Sequence, residues 1–226
     1  FFKHEEEGII LEEDCMPSKS FFTYCNELLA KYRHEEKIMH INGFDFFNND
    51  EKKNNYYFSK LVHVWGWATW RRAWKNFVSK IDSKIDKSRV NFINKYYEDR
   101  QISSWMLNYY LKAYLQEDEA WDTLWAYSIM IKDGICISPS LNLVHNIGFD
   151  ETSAYHFLEK SSQYSRFNSN EYDQIVHPPE IKHNLIKDQE AFKIIKKIDP
   201  RASSVFKILD FFNFYGIKKK IKKIFN

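Results

Sequence analysis

The chain has 226 residues, enough for one sizeable core with a small appendage and too few for two full domains. Its 33 Lys and Arg nearly balance its 31 Asp and Glu, which excludes the broad basic face of a nucleic-acid binder, so no nucleic-acid partner is expected. The three cysteines, Cys15, Cys25 and Cys136, form no CxxC pair and leave an odd thiol, excluding a disulfide framework or a zinc knuckle and fitting a reducing cytoplasm.

The chain opens at Phe1 without an initiator Met and runs quickly into an apolar segment, so it reads as a fragment that has lost something upstream. Gly8-Ile9-Ile10-Leu11 is a short apolar run of the kind that makes a buried strand, and Glu12-Glu13-Asp14 ends it. Ser18 is a plausible helix cap, and Phe21, Phe22, Cys25, Leu28, Leu29 and Tyr32 then recur at helical spacing. Lys37 to Asn42 reads as a strand, Asn48 to Asn55 as a polar loop, and Tyr56 to Ser59 as another strand. This order implies an α/β layered fold.

Val62-His63-Val64-Trp65-Gly66-Trp67 follows, and Ala68 to Phe77 is expected to be a basic helical stretch. Val90 to Leu115 is helical throughout, a polar interval spans Gln116 to Glu119, and a further helix starts near Trp121-Asp122 and stops at Gly134. Ile135-Cys136-Ile137 is a short strand before Pro139, and Asn142 to His156 is an irregular return segment. Later, a short helix is expected from Asp188 to Ile198. The last residues alternate rings with a Lys-rich run, Lys218 to Lys223, which suits either peripheral contact with an anionic membrane or a solvated tail. No apolar run of about 18 residues spans a bilayer, and no signal peptide opens the chain.

Chemistry concentrates in four places. Carboxylates at a strand's carboxyl end project into the crevice where open α/β sheets bind ligands, and hard oxygens suit Mg²⁺ or Mn²⁺, although an acidic triplet is also an ordinary solvated turn. Asp122 opens a helix beside Trp121 and reads as a helix cap, a general base, or both. Gly66 between Trp65 and Trp67 lets backbone approach a ligand while rings flank it; Arg71 and Arg72 beyond it suit a helix face better than a phosphate site. His156 is either a packed loop residue or a metal ligand.

Together these strings resemble the bacterial nucleotide-diphospho-sugar transferases of the GT-A fold: Gly8 to Cys15 with Pro17-Ser18, Trp65-Gly66-Trp67-Ala68-Thr69-Trp70-Arg71-Arg72-Ala73-Trp74, Trp121-Asp122, and Asn142-Leu143-Val144 with Asn146 to Phe149. The layout is also similar to that of N-acetylglucosaminyltransferase I. The resemblance implies a Rossmann-like mixed sheet flanked by helices, with the first strands missing and a helical C-terminal tail. Residues 1–160 would be the C-terminal portion of the transferase domain, and residues 161–226 a mostly helical extension ending in the basic aromatic tail.

Carried over residue by residue, the resemblance makes the protein a metal-dependent inverting glycosyltransferase. Asp14 would hold Mn²⁺ or Mg²⁺, with His156 completing the metal or phosphate site. Glu12, Glu13, Trp65, Gly66 and Trp67 would face the nucleotide sugar, and Asp122 would be the general base. The partners would be a nucleotide-diphosphate sugar donor and a glycan, lipid-linked or protein acceptor, in the cytoplasm or at the inner face of the membrane. Two features depart from the family pattern: Glu13 stands where Asp is more usual, and Tyr155 precedes His156 where a small hydroxyl residue is usual. The competing reading from the residues alone is a non-catalytic carbohydrate-binding domain whose tryptophans stack on sugar. A metal-dependent phosphodiesterase using Glu12, Glu13 and Asp14 ranks last, because it calls for more acids and histidines at neighbouring strand ends.

Overall fold

The computed structural model describes residues 1–47, 55–82, 85–116, 120–149 and 163–198. The expected polar loop from Asn48, the His156 segment and the Lys-rich tail lie wholly or mostly outside the described residues. The strands are β1 (Glu7–Ile10), β2 (Cys15–Pro17), β3 (Ile38–Asn42), β4 (Tyr56–Ser59), β5 (Trp67–Trp70), β6 (Ile135–Pro139) and β7 (Val144–Asn146). The helices are α1 (Lys19–Lys31), α2 (Arg71–Trp74), α3 (Lys87–Tyr97), α4 (Arg100–Tyr114), α5 (Trp121–Ile131) and α6 (Leu185–Ile198).

The fold is mixed α/β. One sheet runs in the order β1-β5-β3-β6-β4, and β2 pairs with β7 in a second, two-stranded sheet. Only β3 and β6 are parallel; β5 lies antiparallel to both β1 and β3, and β4 antiparallel to β6. Hence β1, β3 and β6 point one way, and their carboxyl ends share an edge with the start of β5. The register Ile10↔Trp67 sets the residues after β1 beside the turn before β5.

Helix α1 forms as its periodicity predicts. The Ser18 hydroxyl accepts from the Phe21 N–H at 3.3 Å, a cap worth ~1 kcal/mol. Phe21, Tyr24, Cys25 and Leu28 are fully buried against the sheet, with Ile38, Ile41, Phe58 and Ile137 in the same cluster. A second core lies among α3, α4, α5 and α6, centred on Ile93, Tyr110, Met130 and Ala191.

The elements differ from expectation at several points. Strand β1 is half-buried along its length and stops before Leu11, which is 38% exposed, because β1 is the sheet's outer strand. Ala68, Thr69 and Trp70 belong to a fully buried strand and not to a helix; only Arg71–Trp74 turns helically. A strand sandwiched between β1 and β3 hides every side chain, so its residues carry no alternation to read. The single long helix is two. Glu98 takes a left-handed backbone (φ 59°), and the Asp99 carboxylate caps α4 by accepting from Gln101 and Ile102 N–H. Helix α6 begins near Leu185, about a turn earlier than expected, because the Asn184 side chain accepts the Lys187 N–H.

The segment after residue 160 is part of the same body over residues 163–198. Phe167, Phe192 and Ile195 enter the helical core, and Asn142 Nδ2 donates to the Val144, Phe167 and Asn168 carbonyls. Glu171 accepts from the Lys19 and Ser20 N–H groups, so the later segment supplies the acid that the first turn of α1 lacks. No helix among the described residues is long and apolar enough to cross a membrane.

Candidate functional site

The carboxyl ends of β1, β3 and β6 gather the chemistry. After Ile10 the chain bends sharply, the Cys15 N–H donating to the Glu12 carbonyl at 3.1 Å. Asp14 is then pinned by the β2–β7 ladder, in which Cys15 faces Asn146, and by the Ile147 N–H, which donates to the Asp14 carbonyl at 2.9 Å. Gly148 completes this cradle. Its N–H donates to Asn146 Oδ1 at 2.8 Å, and a Cβ there would stand 2.6 Å from Asp14 Oδ2, so any larger residue would push the carboxylate away. The Asn146-Ile147-Gly148 string thus positions an acid more than a hundred residues away, a role its sequence did not announce.

Glu12, Asp14 and Cys15 each offer a ligand atom within 4.8 Å of the others. Burial raises the Glu12 carboxyl first, and the charges of Asp14, Glu13 and Asp122 raise it further. Negative charge is therefore crowded at this turn, and a hard divalent cation bound there would relieve it. Cys15 fits that cation poorly. Its thiol is buried, pushed up to about 11, and donates to Asp14 Oδ1. A soft, protonated sulfur is a weak partner for Mg²⁺ or Mn²⁺, which leaves Glu12 and Asp14 as the two oxygen ligands that fit. Glu13 is exposed on the turn.

Gly66 occupies the left-handed region (φ 65°), where a side chain would be strained, and a Cβ would lie 2.7 Å from Val144 Cγ2 and 3.2 Å from Leu11 Cδ2. Its carbonyl accepts the Gly43 N–H at 2.8 Å, tying the end of β3 to this turn. The flanking rings do different things. Trp65 is half-buried, with Phe44 at 4.7 Å, Phe149 at 5.0 Å and Tyr164 at 5.4 Å between centroids. Trp67 is 3% exposed, with His40 stacked at 5.1 Å and Trp121 at 5.7 Å. Its Nε1 is buried with no partner among the described residues. Trp121, 37% exposed, is the ring that reaches solvent, and it was read earlier only as a neighbour of Asp122.

Asp122 stands in the first turn of α5, whose capping residue is Ala120, and its Oδ1 accepts the Thr123 N–H at 2.6 Å. A carboxylate there sits in the positive field of the helix start. Its charge is the last of the causes that raise Glu12, so the first turn of α5 stands near the acidic turn. Asp122 also borders a cavity of about 270 Å³ lined by His63, Val64, Trp105, Met106 and Tyr109 among others.

No family model and no curated protein matches this sequence. The site therefore stands on its own geometry.

Arg71 and Arg72 lie at the far end of β5, away from the acidic turn. Arg71 pairs with Glu6, and Arg72 donates to the carbonyls of Tyr32, Arg33 and Ile38 while covering the Trp70 ring. Arg72 thus braces the end of α1, and Arg71 the residues that lead into β1. His40 is likewise structural. Trp125 Nε1 donates to its Nδ1 at 3.1 Å, so its Nε2–H donates to the His63 carbonyl at 3.0 Å, and burial pushes the ring down to about 4.

Proposed function

We propose that the protein is a metal-dependent inverting glycosyltransferase of the GT-A type, moving a sugar from a nucleotide diphosphate to an acceptor hydroxyl. One observation carries the reading. Asp122, far along the chain, lies near enough to the acids that follow β1 for its charge to help raise Glu12. A cation-binding pair and a separate proton acceptor facing one space is what such a transfer requires.

In this reading Glu12 and Asp14 would hold Mn²⁺ or Mg²⁺, which neutralises the departing diphosphate when bound. Asp122 takes the proton of the acceptor hydroxyl as that oxygen bonds to the anomeric carbon and the carbon–phosphate-oxygen bond breaks, with inversion. The Gly66 turn brings backbone close to the donor, and Trp65 and Trp121 wall the cleft. Trp67, 3% exposed and stacked with His40 and Trp121, supports Trp121 and offers no open face to a sugar. That burial takes Trp67 away from the carbohydrate-binding alternative, which counted it among its stacking rings.

The test uses calorimetry with UDP and GDP, with and without Mn²⁺, and a transfer assay with the corresponding sugar nucleotides. Asp14→Ala should weaken metal-dependent nucleotide binding at least tenfold, the cost of about 1.4 kcal/mol or more. Asp122→Asn should leave that binding intact and abolish turnover. Transfer retained by Asp122→Asn would remove it from the mechanism.

A further inference from the structure

We propose that Asp45 is a pH-sensitive positioning residue: its neutral carboxyl clamps the loop after β3 onto Asn142, and its ionisation slackens the strand that holds Asp14 in place. The proposal concerns regulation of the acidic turn and rests on the reading of Glu12 and Asp14 as cation ligands given above.

A chain of buried contacts runs from Asp45 to Asp14. Residues 43–47 grip the segment after β6 at three points. The Asp45 N–H donates to Asn142 Oδ1 at 3.2 Å, the Asn142 N–H to the Phe47 carbonyl at 2.8 Å, and the Leu143 N–H to the Gly43 carbonyl at 3.1 Å. Asn142 is fully buried and passes this grip to β7, its Nδ2 donating to the Val144 carbonyl at 2.8 Å and its Oδ1 accepting the Val144 N–H at 3.3 Å. Strand β7 pairs with β2 and runs straight into Ile147 and Gly148, the residues that cradle Asp14. The Gly43 N–H also reaches the Gly66 carbonyl at 2.8 Å, so the tryptophan turn hangs on the same loop.

That loop is anchored by one acid. Asp45 has no exposed surface, and its two oxygens accept the Tyr57 hydroxyl from β4 and the Phe46 N–H. The other ionisable groups that face it are Tyr24 on α1 and Lys187 and Asp188 on α6. Burial pushes its carboxyl up to about 7, against the two hydrogen bonds; Asp188 adds to the rise and Lys187 opposes it. The carboxyl therefore changes charge near neutrality, in a place where a charge without solvent is costly. The ionised form gains by moving toward the Lys187 ammonium, which already stands over the Phe47 ring of the same loop at 4.1 Å from its centroid. An aspartate side chain is short, so the loop backbone must follow it. Acid favours the clamped arrangement and base the slackened one.

The experiment reads the cradle directly, in metal-free protein, through the Gly148 amide. The sequence holds a single Ile–Gly pair, so ¹³C-carbonyl isoleucine combined with ¹⁵N glycine marks that amide alone. Its resonance should move in a step near pH 7 in the parent, and the step should vanish in Asp45→Asn. Tyr57→Phe keeps the carboxyl but removes a bond that favours its charged form, so the step should move to higher pH. Calorimetry with Mn²⁺ should give the parent and Asp45→Asn near-equal affinities at about pH 6, and the variant about fivefold or more the tighter at about pH 8.5, an ordinary size for coupling between distant sites.

The proposal is overturned if Gly148 shows no step near 7, if Asp45→Asn keeps the step, if Tyr57→Phe leaves it in place, or if both proteins bind Mn²⁺ with the same pH dependence. Mn²⁺ binding without the step would remove the switch and spare the transferase reading. A step that follows Asp45 as expected, with no divalent cation bound at any pH, would support the coupling and remove the metal from the transferase reading.

Discussion

Replacing Asp45 by Asn should remove a large pH-dependent cost of folding. Asp45 is fully buried in the loop after β3, where its Oδ2 accepts the Tyr57 hydroxyl and its Oδ1 the Phe46 N–H, each at 2.6 Å. Burial outweighs both bonds and pushes the carboxyl up from 3.8 to about 7. Because the folded value is raised, the folded state holds a proton that the unfolded chain releases between those two values. The stabilisation is therefore complete below pH 3.8 and is lost as pH rises through about 7. The gap is roughly 3 pH units, and at about 1.4 kcal/mol per unit it amounts to about 4 kcal/mol. Asparagine mimics the neutral acid. Its carbonyl can accept from Phe46 while its amide donates to the Tyr57 oxygen. Urea unfolding followed by tryptophan fluorescence across this range should give near-equal stabilities at the acid end and an advantage of about 4 kcal/mol for Asp45→Asn on the alkaline side. A difference that stays flat with pH would refute the reasoning.

Three other outcomes are expected. Gly66→Ala should cost about 2 kcal/mol or more, since a left-handed backbone and a Cβ 2.7 Å from Val144 are both penalised; thermal denaturation reads it, and a neutral effect would contradict the tight turn. Arg72→Met should lose about 2 kcal/mol with no change in Mn²⁺ binding, because three carbonyls lose their donor, and Arg72→Lys should recover little of it. Asp14→Asn should raise the stability of the metal-free protein by a few tenths of a kcal/mol to about 1 kcal/mol, by relieving repulsion at the acidic turn, while removing the stabilisation that Mn²⁺ gives. Calorimetric melts with and without Mn²⁺ test this last outcome, and a destabilised metal-free variant would contradict it.

The elements that were legible are those with one apolar face or a clear cap. Ser18 with the spacing of Phe21, Cys25 and Leu28 announces α1, and Tyr56 to Ser59 announces β4. The misread stretch, Ala68 to Trp70, is buried on every side, so Trp70, which sounds like part of a helix face, is a strand residue between two neighbours. The break at Glu98 was hidden because a left-handed Glu has no compositional mark, unlike glycine. At the site, Glu12, Asp14 and Asp122 were legible as chemistry, and Gly66 as a point of close backbone approach. The cradle made by Asn146 and Gly148 and the burial of Trp67 against His40 and Trp121 were not, because each depends on which distant strand ends meet.

The sequence by itself determined the α/β class, the run of helices after the tryptophan string, the shortage of basic charge for a nucleic acid, and the residue types available for catalysis. Local periodicity and composition carry those facts, since each is set by residues a few positions apart. Only the tertiary structure decided that Asp122 stands near Glu12 by the edge where β1, β3 and β6 end, and that His63 and Trp105 line one cavity. Those juxtapositions follow from the sheet order and the register Ile10↔Trp67, which are products of long-range packing that no short window of sequence contains.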